Sequence, residues 1–555
     1  MKNKNEYLYV TIMIIAVFFI SPMLGYEDLS ANGRTHDAAV SDEDYGEHLG
    51  TVNFPVSCNE AARGHAERGL ALLHNMTYEG ARAEFAEATV DDSDCAMGFW
   101  GQAMSFIHPL WSDPPDEAEF KSGQDLLKKA RTRGKKTEWE RAYIAAAESY
   151  YAAGRDGSEK VNLASYEKAW EKVYRQFPED LEAACLYALA HMATADPSDK
   201  TYTKQKRAGT IAEKVLYQAP DHPGAHHYII HAYDYPELAE QALSVARNYG
   251  KIAPSVPHAL HMPTHIFTRY GIWEESVTMN RRSADAALKH PVGGAISLHY
   301  THALDYLAYA YLQRGEDEKA KQVMDTVSEI KGPVQVHVAS AYTFAAVPAR
   351  LALERQDWAD AASLKPRLPA NYPWDRFPAM EAITYFARAL GAARSGNVQA
   401  AGKAIDNLTA MRDLSSKTSA YWTKQIEIMR LSAMAWLKYD EGAGEKALHI
   451  MQRAAGLETS TEKHPVTPGE VLPARELLGD MLLEMGHHRE ARAAYETALK
   501  RSPNRLNSIY GAGRAAELSG NKKDALSFYR KLVEITAKDS KRERLQQARA
   551  FLSKN

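Results

Sequence analysis

The stretch Leu477–Pro503, LLGDMLLEMGHHREARAAYETALKRSP, carries the pattern that decides the fold. Apolar residues recur at three- and four-residue spacing on both sides of a polar turn at His487, which predicts two amphipathic helices joined as a hairpin. The same small and aromatic residues return 34 positions later: Gly479, Ala491 and Tyr495 are followed by Gly513, Ala525 and Tyr529. Small residues let two helices approach closely, and the aromatic ring fills the gap to the next hairpin. The period therefore predicts stacked helical hairpins.

This pattern extends over most of the chain. From about Glu60 to about Lys538 the sequence predicts helices almost throughout, with short turns and no strand. Related small and aromatic positions occur near the start and in the middle, at Gly69, Ala81, Phe85, Ala308, Tyr311 and Ala320. The pattern resembles the tetratricopeptide repeat, a 34-residue helix–turn–helix. The resemblance implies an all-α fold, a solenoid of ten to thirteen hairpins wound as a right-handed α-α superhelix with a concave groove.

The charge balance and the N-terminus bear on partners and location. Across 555 residues, 67 Lys and Arg face 71 Asp and Glu, so the net charge of −4 gives no reason to propose a nucleic-acid partner. Lys2 and Lys4 precede an apolar run, Leu8–Ile20, that is short for a membrane span. This pattern predicts a signal peptide over residues 1–25 and an exported protein. An uncleaved anchor is the alternative, and membrane association is expected only in that case.

The rest of the chain divides by composition into five segments. They are a flexible lead-in (26–55), a tetratricopeptide-like superhelix (56–456), a Pro-rich joint (457–472), C-terminal hairpins (473–538) and a charged tail (539–555). Cys58 and Cys95 flank the first predicted hairpin, which brings its two ends together. Because export permits disulfides, we predict a Cys58–Cys95 bond, with three buried free thiols as the alternative.

Histidines are concentrated in the middle of the superhelix. Of 21 in the chain, ten lie between His222 and His302. The 34-residue register places repeat starts at Pro223, at Pro257 and near Thr301. In tetratricopeptide repeats, fixed positions of the first helix line the groove. The resemblance implies that the groove here carries His227, His231, Asp234, His258, His261, His265, His302, Asp305 and Tyr309.

Six imidazoles on one surface predict a transition-metal site, because imidazole suits Zn, Cu, Fe and Ni and histidines one helical turn apart can bind one ion. Six exceed the needs of one ion, so we expect one or two ions. The predicted ligands are His227, His231, His258, His261, His265, His302 and Asp305. Further ligands, or groups that orient the ligands, are Asp234, His74, His108 and Tyr309. The Cys-free set favours Cu or Zn over Fe. The alternative is that these are ordinary helix histidines, paired or solvated.

Pro263 leaves the helix geometry open. It either bends the helix that carries His261 and His265, or it begins that helix and leaves His258 and His261 on a loop.

Several segments are similar to a group of exported bacterial tetratricopeptide-repeat proteins. They include CNEAARGHAERGLALLHNMTYEGARAEF from Cys58, HPGAHHYIIHAYD from His222 and PHALHMPTHIFTRYGIWEESV from Pro257. The resemblance implies a bacterial periplasmic or extracellular location. No HExxH, phosphate-loop, GxSxG or Rossmann motif is present. Three hypotheses follow: a metal-dependent oxidase or hydrolase acting on a small or peptide-like substrate, a scaffold for a protein or peptide partner, and a metal storage or delivery protein.

Overall fold

Helices account for nearly all the regular structure in the computed structural model, which describes residues 48–555 except 112, 153, 155–157 and 198. The α-helices of this described part are α1 (Glu60–His74), α2 (Tyr78–Asp91), α3 (Ala96–Met104), α4 (Glu117–Thr132), α5 (Glu138–Tyr151), α6 (Glu159–Gln176), α7 (Leu181–Ala193), α8 (Thr203–Gln218), α9 (Pro223–Tyr233), α10 (Leu243–Ile252), α11 (Pro257–His261), α12 (Pro263–Tyr270), α13 (Trp273–Lys289), α14 (Leu298–Gln313), α15 (Asp317–Glu329), α16 (Val338–Glu354), α17 (Trp358–Ser363), α18 (Pro378–Arg394), α19 (Val398–Ser415), α20 (Ala420–Asp440), α21 (Gly444–Thr459), α22 (Ala474–Glu484), α23 (His488–Arg501), α24 (Leu506–Leu518), α25 (Lys522–Ile535) and α26 (Glu543–Lys554). Across the same residues, β-structure is limited to two isolated bridges.

Helix ends follow local capping chemistry. Asp116 and Thr137 form capping boxes that start α4 and α5, each with a glutamate at the third helical position. Pro223 and Pro257 open α9 and α11 at the first helical turn, where a missing N–H costs no hydrogen bond. Gly271 ends α12 with a positive φ of 65°, a conformation that glycine adopts without a side-chain penalty.

Consecutive helices pair as twelve hairpins over the described residues, from α1 and α2 to α24 and α25, with α11 and α12 together forming one arm. The spacing explains the repeat pattern. A Cβ atom on Gly479 would lie 2.7 Å from the Tyr495 ring, and one on Gly511 would lie 2.3 Å from it. Tyr495 of one hairpin therefore fits between a glycine of its own first helix and a glycine of the next hairpin. This arrangement confirms the predicted all-α helical-repeat fold and the estimate of ten to thirteen hairpins.

The last hairpins are joined to the middle of the chain by buried ion pairs. The Arg505 guanidinium lies 2.9 Å from carboxylate oxygens of both Glu476 and Glu354, all of them buried. The described residues belong to one compact unit. The segment predicted as a charged tail contains α26 instead, because its residues Leu545 and Ala548 are buried in the C-terminal apolar core.

The residues ahead of α1 are ordered as far as they are described. The Asn53 N–H donates to Glu182 Oε1 at 2.8 Å, the Ser57 N–H donates to Glu140 Oε1 at 2.7 Å, and Phe54 is completely buried. Residues 48–55 are therefore not a flexible lead-in, while residues 26–47 and the predicted signal peptide lie outside the described residues. A disulfide joins Cys58 to Cys95, the predicted pair. Among the helices described, none is long and apolar enough to cross a membrane.

A long connection between α21 and α22 lies against the histidine-bearing helices, and we name residues 461–473 the roof loop. Tyr306 of α14 donates its hydroxyl hydrogen towards the carbonyls of Pro465 and Thr467, at 3.1 and 3.0 Å. Arg350 of α16 donates to the Gly469 carbonyl at 2.8 Å. The segment predicted as a joint is thus packed onto the middle of the superhelix.

Candidate metal centre

Four helices, α9, α11, α12 and α14, bring all six predicted histidine ligands together. They form two groups of three. The first trio is His227, His231 and His258, and the second trio is His261, His265 and His302. Within each trio one potential ligand atom per residue lies within 4.8 Å of the other two. The trios adjoin each other, because the ring centroids of His231 and His265 are 6.1 Å apart.

The first trio has ring nitrogens without partners. The His227 Nδ1–H donates to the backbone carbonyl of His74 at 2.7 Å, which fixes the hydrogen on Nδ1 and leaves Nε2 with a lone pair. That Nε2 atom, the Nε2 of His231 and both ring nitrogens of His258 are buried and have no hydrogen-bond partner. Buried polar atoms are nearly always paired, so these four nitrogens require an explanation.

The second trio is oriented more firmly. His261 Nδ1 lies 2.8 Å from Asn280 Oδ1, and His265 Nδ1 lies 2.9 Å from Asp234 Oδ2. Both oxygens are acceptors, since Asn280 donates its amide hydrogen to the Ser276 carbonyl at 2.8 Å. Each ring therefore carries its hydrogen on Nδ1 and a lone pair on Nε2.

Those two Nε2 atoms face each other at 3.1 Å. Two lone pairs at this distance repel unless a proton or a cation lies between them. Burial lowers the pKa of both His261 and His265, which disfavours a shared proton at neutral pH. A tetrahedral ion with nitrogen ligands at about 2.05 Å sets neighbouring nitrogens about 3.3 Å apart, close to the spacing here.

The break at Pro263 distributes the ligands between the trios. α11 ends at His261 and α12 begins at Pro263, while Met262 between them keeps helical backbone angles. Thr264 donates its hydroxyl hydrogen to the His261 carbonyl at 2.7 Å, which satisfies an acceptor that the break frees. His258 and His261 therefore stand on a short helix, and the helix that carries His265 starts at Pro263.

A third group, His74 with Glu182 and His222, differs because its nitrogens are all paired. His74 Nε2 and His222 Nε2 donate to Glu182 Oε2 at 2.8 and 3.1 Å. His74 Nδ1 pairs with the Tyr228 hydroxyl at 3.0 Å, and His222 Nδ1 accepts from the Ala225 N–H at 3.2 Å. This hydrogen-bond network holds the chain ahead of α1, and it leaves neither histidine with an unpaired ring nitrogen.

The remaining predicted site residues separate into those that contact the trios and those that do not. His74 contacts the first trio through its carbonyl, and Asp234 contacts the second trio. Asp234 also receives a hydrogen bond from Arg269 at 2.7 Å and an ion pair from Lys463 at 2.9 Å. These two cations hold the pKa of the Asp234 carboxyl well below its usual value despite its burial.

Asp305, Tyr309 and His108 lie outside both trios. Asp305 belongs to neither trio and forms a buried ion pair with Arg350 of the next hairpin. Tyr309 accepts a hydrogen bond from Arg505 at 3.1 Å, far along α14 from the histidines. The His108 ring stacks on Tyr78 with centroids 4.1 Å apart. The register predicts which side of a helix these residues share, but not the neighbour that each one meets.

Both trios border one cavity of about 50 Å³. His231 and His258 line it from the first trio, and His265 and His302 line it from the second. The other lining residues are Leu110, Trp111, Met262, Leu298, His299, His337, Val338, Ala339, His464, Pro465 and Val466.

Sequence reasoning missed several of these contributors. His337 is the N-cap of α16 and His464 lies in the roof loop, so neither falls on a groove position of the repeat. Asn280 lies on α13, the second helix of its hairpin, and the register assigns groove positions only to first helices. His464 lies in the segment predicted to be a Pro-rich joint, where no repeat spacing indicates which residues face the groove.

Comparison with known proteins identifies the scaffold only in part. Residues 477–540 match the tetratricopeptide repeat family. This match supports the predicted repeat type over residues 477–540, while the bacterial export group and the role of the histidine-rich block stay predictions. No curated protein sequence matches this chain significantly.

Three solved structures illustrate the structural similarity. The crystal structure of the APC/C hetero-tetramer Cut9–Hcn1 is 11% identical, with 90% of this chain and 78% of that chain covered and a TM-score of 0.33. The human IFIT1 dimer with m7Gppp-AAAA is 13% identical, with 87% of this chain and 96% of that chain covered and a TM-score of 0.34. A tetratricopeptide repeat protein from Parabacteroides merdae is 14% identical, with 54% of this chain and 98% of that chain covered and a TM-score of 0.28.

Proposed function

We propose that each histidine trio holds one transition-metal ion and that the protein is a metal-dependent enzyme acting on a small molecule. The observation that carries the proposal is the pair of opposed Nε2 lone pairs of His261 and His265, 3.1 Å apart and fixed by acceptors on both Nδ1 atoms. The unpaired nitrogens of the first trio support a second ion.

The ligand chemistry favours copper or zinc. All six ligands are neutral imidazoles, and no carboxylate belongs to either trio. Asp234 and Asn280 orient second-trio ligands in the way that metal-binding histidines are usually held. Zinc would supply an activated water for hydrolysis, and copper would supply oxygen-dependent oxidation. The cavity beside both trios supports a small substrate.

Export is part of the proposal. The pattern over residues 1–25 is typical of a signal peptide, and the Cys58–Cys95 disulfide suits an oxidising compartment. We therefore place the protein in the periplasm or outside the cell.

Metal analysis of the full chain tests the proposal. Protein purified without chelators and reconstituted with Cu(II) or Zn(II) is expected to retain two ions per chain. His227→Ala and His261→Ala should each remove one ion, whereas His449→Ala, at an exposed position of α21, should remove none. Absence of stoichiometric metal from the reconstituted wild type would refute the proposal. Two bound ions without any turnover would indicate storage or delivery instead.

A second candidate function is protein binding. The match at residues 477–540 favours it, because repeat arrays of this kind present extended binding surfaces. The roof loop lies against the helices that carry the histidines, so we place a protein partner on the C-terminal hairpins. A metal-free wild type that captures a partner, with capture abolished by substitutions in α22 or α24, would favour this function.

A further inference from the structure

We infer that the cavity between the trios is a binding site for a small, uncharged or anionic metal ligand of a few non-hydrogen atoms, shared by the two ions. The inference rests on the proposed function, because the ions supply the attraction. It goes further by naming the size and charge of the ligand and the wall that selects it.

The placement of the ligands gives each ion access to the cavity. Two members of each trio line it: His231 and His258 on one side, His265 and His302 on the other. Three imidazoles leave one position of a four-coordinate ion open. A ligand in the cavity would fill that fourth position, and it would be near both ions because the ring centroids of His231 and His265 are 6.1 Å apart.

The size of the cavity limits the ligand. A water molecule needs about 10–15 Å³ of such space, so about 50 Å³ admits roughly three to five waters or a ligand of similar size. Trp111, Leu298 and Val338 form apolar walls, and the roof loop closes one side with His464, Pro465 and Val466. A peptide or a sugar does not fit while the roof loop is in place.

The charge of the cavity selects the ligand further. Of the side chains described around it, none is a carboxylate, an ammonium or a guanidinium. The lining consists of imidazole rings and apolar side chains. Two bound cations would then be the dominant charges, and an anion would be attracted. His299 Nδ1 and His337 Nε2 are buried without hydrogen-bond partners, which leaves polar atoms for a ligand to meet.

Azide is a suitable probe, because it has three atoms, carries one negative charge and gives a charge-transfer absorption when it binds Cu(II). The full chain is loaded with Cu(II), its copper content is measured, and azide is titrated. Val338→Trp fills the cavity from its rim and is expected to weaken azide binding about tenfold or more with copper content unchanged. Val336→Trp is the matched control, since Val336 is 41% exposed and does not line the cavity. It should bind azide like the wild type.

Two results would overturn the inference: a copper-loaded wild type with no azide absorption, or Val338→Trp binding azide as tightly as Val336→Trp. If Val338→Trp loses copper, Val338→Ala is used as the second test of the cavity. The wider cavity should raise the affinity for imidazole relative to azide, and an unchanged ratio would count against a size-selective cavity. A wild type that binds no copper defeats the proposed function itself, and the copper measurement separates that failure from the others.

Discussion

Replacing Asn280 by alanine offers a sharp test of the second trio. The side chain lies on α13, is fully buried and accepts the Nδ1–H of His261 at 2.8 Å. Alanine removes this acceptor without touching a ligand atom. The His261 ring is then free to rotate, and its Nε2 lone pair is no longer held towards His265.

The expected size of the effect follows from the lost hydrogen bond. Removing a group that orients a metal-binding histidine typically lowers metal affinity about 10- to 100-fold, or about 1.4–2.7 kcal/mol. The buried, unpaired Nδ1–H should also lower the free energy of unfolding of the metal-free protein by about 1–3 kcal/mol. The first trio uses the His74 carbonyl and not Asn280, so its affinity should be unchanged.

Competition titration of metal-free protein with Zn(II) against a chelator measures both sites. The expected curve shows one site weakened and the other at its wild-type affinity. Asn162→Ala is the control, since it removes a buried asparagine from α6, a helix that contributes no histidine to either trio. Equal affinities in wild type and Asn280→Ala at both sites would refute the reasoning, and so would a parallel loss at both sites.

Three further predictions concern stability and ligand identity. Between pH 7.5 and 5.5 the metal-free protein should lose about 1.4 kcal/mol of unfolding free energy for each of His227 and His337, as measured by denaturant titration. Burial lowers the pKa of His227 to about 3 and that of His337 to about 4, so in this range only the unfolded chain, with a histidine pKa of about 6.5, gains protons. An unfolding free energy that does not change with pH would contradict the burial of these two rings in their neutral form. Asp305→Ala should leave the metal stoichiometry unchanged but destabilise the fold by about 3–5 kcal/mol, since it leaves the buried Arg350 without its ion-pair partner. Loss of metal from a folded variant would indicate that Asp305 is a ligand. Replacing Cys58 and Cys95 by serine should lower the free energy of unfolding by about 4 kcal/mol, given a sequence separation of 37, and equal melting temperatures for variant and wild type would contradict this.

The fold was predictable because its packing rule is local and repeated. A glycine, an alanine and a tyrosine at fixed offsets are enough to indicate a hairpin, and the close approach of Gly479 and Gly511 to Tyr495 shows why. The roof loop was not predictable. Its prolines and glycines are typical of a linker, and its burial depends on Tyr306 and Arg350, which lie more than a hundred residues earlier in the chain.

The candidate site was predictable to the extent that it follows the repeat register. The register placed six histidines on one surface, and the structure brings all six together. It did not indicate the partner of Asp305, which is an arginine 45 residues away. It also gave no indication of Asn280 or His464, because a second helix and a connecting loop have no assigned groove positions.

The docking of the roof loop also depends on the number of hairpins that precede it. Lys463 contacts Asp234, and His464 lines the cavity. Both contacts depend on the path that α15 to α21 follow between α14 and the roof loop. In repeat arrays each unit contacts mainly its neighbours, so adding or removing a unit usually alters only the length of the array. Here an added or missing hairpin between α14 and α22 would carry the loop past its docking position and uncover the histidines, so the length of this part of the array is fixed by the pocket it closes.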